Sequence, residues 1–187
     1  MGNGKRPKAF EIALSGISCA VAVLFLSLGI MTGVNSLTAV GYFVAVVALM
    51  LPLSKQFFLG AFLAYTGTLI LTIALGAAAQ FWKLVPFAMF FGLHPIANAL
   101  QIRFKINKWL ALAVKAVWFD CTLIVGYYLV FGGLLGGSLL PQSVYDVLNK
   151  YIFVFIFTLG TAICFVYDYL TFKCQIAVNL LVQRIKK

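Results

Sequence analysis

Long apolar stretches separated by short polar turns are the dominant pattern of this chain. Six stretches approach the roughly 20 residues that a helix needs to cross a bilayer. They are apolar throughout, rather than alternating as a half-buried strand would. They lie near residues 11–32, 37–53, 57–77, 84–101, 109–132 and 151–172. The pattern therefore predicts an all-α, polytopic membrane protein, with residues 1–187 forming one compact bundle of six transmembrane helices.

Composition supports a bilayer as the surrounding medium. The chain is 64% hydrophobic and only 10% charged, whereas soluble domains carry about 25% charged residues. So few charges cannot build a water-facing surface. The 14 Lys and Arg against 4 Asp and Glu are therefore interpreted as topology signals, since basic residues collect in cytoplasmic loops, and no nucleic-acid partner is expected.

The distribution of basic residues predicts the orientation. With the N-terminus inside, the cytoplasmic side receives most of them, whereas the outer side receives only Lys83 and Lys150 and one lies within a span. The inner set is Lys5, Arg6, Lys8, Lys55, Arg103, Lys105, Lys108, Lys173, Arg184, Lys186 and Lys187. This bias predicts a multi-pass protein of the cell membrane with both termini cytoplasmic.

The segments around the spans leave alternatives open. The basic MGNGKRPK precedes an apolar run without a cleavage site, which predicts an uncleaved first span. The tail QIAVNLLVQRIKK either continues the last helix or lies along the membrane surface. The glycine-rich loop 132–150 is either a lid or re-entrant turn, or a plain connector.

Polar residues interrupt the fourth span in FFGLHPIANALQ. His94, Asn98 and Gln101 share one helix face at spacings of four and three residues. Pro95 removes a backbone donor, which predicts a kink. Counted from Leu84, His94 would lie about 15 Å deep, near the centre of the bilayer.

Span five carries Asp120 at about the same predicted depth and Lys115 nearer the inner boundary, and span six brings Asp168 to that boundary. Two pairings follow: His94 with Asp120, and Lys115 with Asp168. Such groups usually face the bundle interior and mark a functional path, but they also serve as interhelical contacts. For the second pair the structural role is favoured, because a shallow lysine can reach the interface.

Catalytic signatures are absent from the sequence. It has one histidine and four acidic residues, and no HExxH, GxSxG or P-loop motif. The cysteines form no CxxC pair, and three lie in apolar runs as small apolar residues. We therefore expect neither an enzyme, a metal site nor a cofactor.

Size, six spans, inner basic bias and a small-residue face on the first helix together resemble the substrate-binding S component of an energy-coupling factor transporter. The face is SGISCA, where Gly16 and Ala20 have the spacing of that family's docking motif and Ser15 and Cys19 form a parallel pair. The resemblance implies capture of a vitamin-like small molecule from outside. It also implies docking onto a transmembrane subunit and ATPases.

In that family the ligand lies in the outer half of the bundle. The resemblance therefore directs attention to Gln80, Trp82 and Lys83, with Tyr127 nearby and Asp120 and His94 as a deeper floor. An amide, an aromatic ring and a cation could hold a small anionic or ring-bearing ligand. The same Trp–Lys pair is also typical of an interfacial anchor.

A second hypothesis is a non-catalytic six-span scaffold, similar to the shape-determining proteins of bacterial cell-envelope machinery. Such a scaffold needs only helical faces for its partners and no ligand. The lack of a strongly polar pocket favours the scaffold, whereas the outer cluster and the deep polar residues favour the binding subunit.

Overall fold

The computed structural model describes residues 9–129 and 150–185, and these residues form helices joined by short turns. The six helices are α1 (Ala9–Met31), α2 (Asn35–Leu53), α3 (Phe58–Ala74), α4 (Ala77–Arg103), α5 (Lys108–Leu129) and α6 (Lys150–Arg184). All except α3 are long and apolar enough to cross a membrane, and the 17 residues of α3 reach the lower limit for a span. The predicted all-α class is confirmed, and the bundle is that expected of a multi-pass membrane protein.

Two helices differ in length from the sequence prediction. α4 begins at Ala77 rather than near residue 84. α6 continues to Arg184, so the tail extends the last helix instead of leaving it near residue 172. All of loop 132–150 except its last residue lies outside the described residues.

α4 is irregular along its length. It begins with a 3-10 turn, Ala77–Gln80, and widens into a π-helical segment, Phe87–Phe91. A regular α-helix resumes at His94. Pro95 lies in the first turn of that segment, where its missing N–H does no harm. The irregularity therefore precedes Pro95, and the proline begins a new helical segment rather than bending a continuous one.

The closest helix packing joins α1 to α2. A methyl group added at Gly41 would lie 2.6 Å from the carbonyl oxygen of Phe25, and one at Gly29 would lie 2.8 Å from that of Leu37. Only glycine allows the two backbones to approach this closely. Fully buried side chains fill the space alongside, among them Leu26, Ile30, Leu49 and Met50.

The outward surfaces of the helices are apolar. Ile70, Val117 and Leu59 are 66%, 64% and 64% exposed. Monomeric soluble proteins rarely show large contiguous apolar surface, whereas such side chains are stable against lipid. An apolar cluster joins α4, α5 and α6 and separates the two polar sites described next. It consists of Phe90, Ala116, Phe119 and Cys164.

Candidate functional site

Three helices meet around the ammonium group of Lys115. The residue as a whole is 4% exposed. It donates to Asp168 Oδ1 on α6 at 2.5 Å, and to Asn98 Oδ1 and Gln101 Oε1 on α4 at 2.8 and 2.9 Å. An ammonium has three hydrogens, so every donor of Lys115 has an acceptor. The predicted pairing of Lys115 with Asp168 is confirmed.

His94 joins this network rather than Asp120. Its Nε2 lies 3.0 Å from Asp168 Oδ1, and its Nδ1 lies 3.5 Å from Asn98 Nδ2. The ring is fully buried and packs against Phe90 and Tyr167, with centroids 5.0 and 4.9 Å apart. Side chains of α4, α5 and α6 thus form one polar cluster, which we call the Lys115 network (Lys115, Asp168, His94, Asn98, Gln101), and two of its members, Gln101 and Asp168, also line a groove of about 510 Å³.

The predicted pairing of His94 with Asp120 is wrong, and the start of α4 explains why. Because α4 begins at Ala77, its residues lie further along the helix than a start at Leu84 implies. Counted from Arg103, His94 is about 14 Å from that end. Lys115 and Asp120 are about 10 and 18 Å from Lys108 by the same rise, and the contacts place His94 at the level of Lys115.

Asp120 forms a separate site on the face of α5 that meets α6. Its Oδ2 accepts a hydrogen bond from Thr161 Oγ1 at 3.2 Å. Its Oδ1 is buried and has no hydrogen-bond partner among the described residues. A methyl group added at Gly160 would lie 3.2 Å from that oxygen and 2.8 Å from Leu123 Cδ1. The glycine at position 160 therefore allows α6 to pack closely against Asp120 and Leu123.

A groove of about 340 Å³ opens above this carboxyl between α4, α5 and α6. We call it the Trp82–Tyr127 groove, after two of the predicted ligand residues that the structure brings together there. Its walls are apolar and aromatic, and include Trp82, Phe91, Phe119, Leu123, Gly126 and Tyr127. Asp120 is not in the lining, but Asp120, Leu123 and Tyr127 lie on one face of α5, with Asp120 one turn below Leu123.

The rest of the predicted outer cluster is divided by the fold. Lys83 Nζ donates to the carbonyl oxygen of Gly33 at 3.0 Å, in the turn between α1 and α2. The Tyr42 hydroxyl donates to the carbonyl oxygen of Lys83. Lys83 thus ties α4 to the α1–α2 turn. Gln80 is half-buried at the end of the 3-10 turn and does not line the groove.

The small residues of α1 lie on two faces, one packed against α3 and one turned away from the bundle. Cys19 faces α3, where its Sγ would lie 3.1 Å from a methyl group at Gly67, and a methyl group at Gly60 would overlap Ser15 Oγ. Gly16 and Ala20 are exposed on the outward surface, and a methyl group at Gly16 would have no neighbour within 4 Å. Ser15 and Cys19 therefore serve internal packing, whereas the Gly16–Ala20 face is unoccupied.

Thr161 and Gly126 are the site residues that sequence reasoning missed. Thr161 follows Gly160 within an apolar run and ends a π-helical segment, Ile156–Gly160; such segments are frequent at functional sites. Nothing in the local sequence shows that this segment faces Asp120. The available signal was only that a polar threonine directly follows a glycine in the apolar run TLGTAI.

Comparisons with known proteins return nothing: no family model, curated protein or solved structure matches this chain. Among residues 9–129 and 150–185, no group of three or more His, Cys, Asp and Glu side chains is placed to hold a metal ion.

Proposed function

We propose that this protein is a non-catalytic, membrane-embedded subunit that binds a small molecule in the Trp82–Tyr127 groove. The observation that carries the proposal is the groove itself, which combines a concave aromatic wall with one nearby carboxyl whose Oδ1 has no partner in the described part of the chain. Binding sites for small molecules are commonly apolar clefts with few polar groups that fix orientation. The side chains of the Lys115 network contact one another across three helices, and the network has a structural role in this proposal.

The groove lies at the end of the bundle that holds Lys150 and Trp82, which the charge pattern predicts to be the outer end. A ligand would therefore enter from outside the cell. This fits the S component of an energy-coupling factor transporter, and we extend the proposal to uptake of a vitamin-like molecule or its precursor. Both termini would then be cytoplasmic.

The outward Gly16–Ala20 face of α1 supports docking onto an energising transmembrane subunit with its ATPases. Small residues allow a partner helix to approach closely, and within residues 9–129 and 150–185 no side chain covers Gly16. A Gly16→Phe variant should fold with an unchanged unfolding temperature but fail to co-purify such a partner. Retention of the partner by this variant would contradict docking at this face.

The binding proposal is tested by native mass spectrometry of the protein purified in gentle detergent without added ligand. A stoichiometric small molecule should accompany the unmodified protein. Gly126→Phe is the informative variant, because Gly126 lines the groove and a methyl group added there meets no described atom within 4 Å. The bound molecule should be lost from Gly126→Phe and retained in Gly16→Ala, which adds a methyl group on the opposite side of the bundle. No bound molecule, or equal amounts in all three proteins, would contradict the proposal.

The second candidate function is a scaffold for cell-envelope machinery. The contacts within the Lys115 network favour it, because Lys115 bonds to side chains on two other helices, and such bonds between membrane helices need no ligand to explain them. In the same preparation, stoichiometric envelope proteins without a small molecule would support this function and not the first.

A further inference from the structure

The chemistry around the Trp82–Tyr127 groove indicates the charge of its ligand, an inference that rests on the function proposed above. Asp120 is 5% exposed, so its side chain is almost fully removed from lipid and water. Its Oδ1 nevertheless has no donor among the described residues. A buried polar atom without a partner is costly, and carboxyl groups inside a membrane protein usually mark a ligand or ion path.

The cations of the described helices are committed elsewhere. Lys115 is saturated by its three acceptors, and Lys83 donates to the α1–α2 turn. Lys150 lies over the Tyr151 ring at the start of α6, 5.4 Å from its centroid. Asp120 thus has no cationic partner among the described residues, and a cationic ligand would supply the countercharge of its ionised form.

The groove walls suit the remainder of such a molecule. Trp82, Phe91, Phe119 and Tyr127 contribute four aromatic rings to the lining. Aromatic faces attract cations as well as apolar groups. An anionic ligand, in contrast, would meet a carboxyl and no free cation, so the structure argues against the anionic ligand that the Gln80–Trp82–Lys83 motif suggested.

We propose that the groove binds a primary ammonium carried on an apolar or aromatic body. The body would lie against Trp82 and Tyr127, and one N–H would donate to Asp120 Oδ1. Leu123 separates the groove from this oxygen, so its side chain must change rotamer as the ammonium reaches Asp120. That movement turns Leu123 towards the groove, which it lines, because α6 already lies close to it on the other side, where a methyl group at Gly160 would be 2.8 Å from Leu123 Cδ1. A primary ammonium is preferred to a quaternary one, because the free oxygen requires a donor.

Three probes of similar size and different charge test the inference: 2-phenylethylammonium, 2-phenylethanol and phenylacetate. Each is titrated into the purified protein in detergent, and the unfolding midpoint is recorded. A ligand that binds only the folded state raises the midpoint in proportion to its affinity. The ammonium should bind about tenfold or more tightly than the alcohol, as expected for about 1.4 kcal/mol from one charge-assisted hydrogen bond. The carboxylate should give no shift.

Asp120→Asn then assigns the preference to one residue. This variant keeps an oxygen that can accept from Thr161, and it should bind ammonium and alcohol with affinities within about threefold of each other. Thr158→Val is the matched control, because Thr158 is exposed in the same π-helical segment and its hydroxyl bonds only to Val154 O, at 2.6 Å. The control should keep the full preference for the ammonium.

The outcomes separate the inference from the proposed function. Equal binding of the three probes, or an ammonium preference that survives in Asp120→Asn, would overturn the ammonium site while leaving the groove a binding site. No shift with any probe, together with stabilisation by added phospholipid, would assign the groove to acyl chains and overturn both. The ranking of the probes on unmodified protein needs no variant, so it decides the question even if Asp120→Asn does not fold.

Discussion

Removing the ammonium of Lys115 should destabilise the bundle strongly, because it leaves Asp168 without its main partner. Lys115 and Asp168 are 4% and 8% exposed, and their 2.5 Å contact is supported by acceptors on α4. We therefore expect Lys115→Met to unfold at a lower temperature than the unmodified protein. Its matched control is Lys173→Met, which removes an exposed lysine and should have little effect.

The size of the destabilisation follows from the interactions that Lys115→Met removes. Lys115→Met removes three hydrogen bonds, and such bonds between membrane helices average about 0.6 kcal/mol each, which gives about 2 kcal/mol. It also leaves a buried carboxylate, and breaking a buried ion pair costs about 3–5 kcal/mol in soluble proteins. We expect the free energy of unfolding to fall by about 3 kcal/mol, a value between the two estimates. For a chain of this size that lowers the unfolding midpoint by about 6–12 °C.

The double variant Lys115→Met with Asp168→Leu distinguishes a charge effect from loss of packing. Replacing both members of a buried pair by apolar residues is often neutral or stabilising, so the double variant should recover at least half of the loss. The assay is thermal unfolding in detergent with a thiol-reactive fluorophore, in a background where the exposed Cys121 and the partly exposed Cys19 and Cys174 are replaced, so that the fully buried Cys164 reacts only when the bundle opens. A loss below 2 °C for Lys115→Met, or a double variant less stable than either single one, would refute this reasoning.

Two further predictions concern helix packing and are measured by the same thermal unfolding assay. Gly41→Ala should lower stability by about 1–3 kcal/mol, because its methyl group would lie 2.6 Å from the Phe25 carbonyl oxygen. Gly16→Ala, with open space around it, should change stability by less than about 0.5 kcal/mol, and equal effects of the two would contradict the packing described for α1 and α2. Lys83→Met should lower the midpoint by about 2–4 °C through loss of about 1 kcal/mol, because its ammonium bonds to Gly33 O. A midpoint unchanged by Lys83→Met would indicate that Lys83 does not tie α4 to that turn.

The helical class and the Lys115–Asp168 pair follow from sequence patterns with a direct physical cause. Continuous apolar runs in a chain with few charges can satisfy their backbone groups in lipid as helices. The depth of Lys115 can be counted from the basic segment before α5, which fixes where that helix starts. Its partner was predictable for the same reason, since Asp168 lies close to Lys173 near the inner boundary.

The position of His94 could not be predicted in this way. The start of α4 is a 3-10 turn of alanines followed later by a π-helical segment, and neither leaves a clear mark in an apolar sequence. The depth of His94 was therefore counted from the wrong residue. The role of Lys83 depends on where the α1–α2 turn lies, which is a property of the tertiary packing and not of the segment AAAQFWK.

The residues of the Trp82–Tyr127 groove could be picked out from the sequence, but their arrangement in one groove could not. Aromatic residues near span ends are visible in the sequence, but they also anchor helices at the interface. Only the packing of α4 against α5 and α6 places Trp82 and Tyr127 on one concave surface. The free oxygen of Asp120 is equally a result of packing, because α6 places Gly160, which has no side-chain donor, against it.

The most direct test of the central claim is an experimental density map of the protein purified from its native membrane without added ligand. We predict compact non-protein density in the Trp82–Tyr127 groove, bounded by the aromatic walls and reaching past Leu123 towards Asp120 Oδ1. An empty groove, or tubular density continuous with the surrounding lipid and ending above Leu123, would contradict the claim that this protein binds a small molecule there.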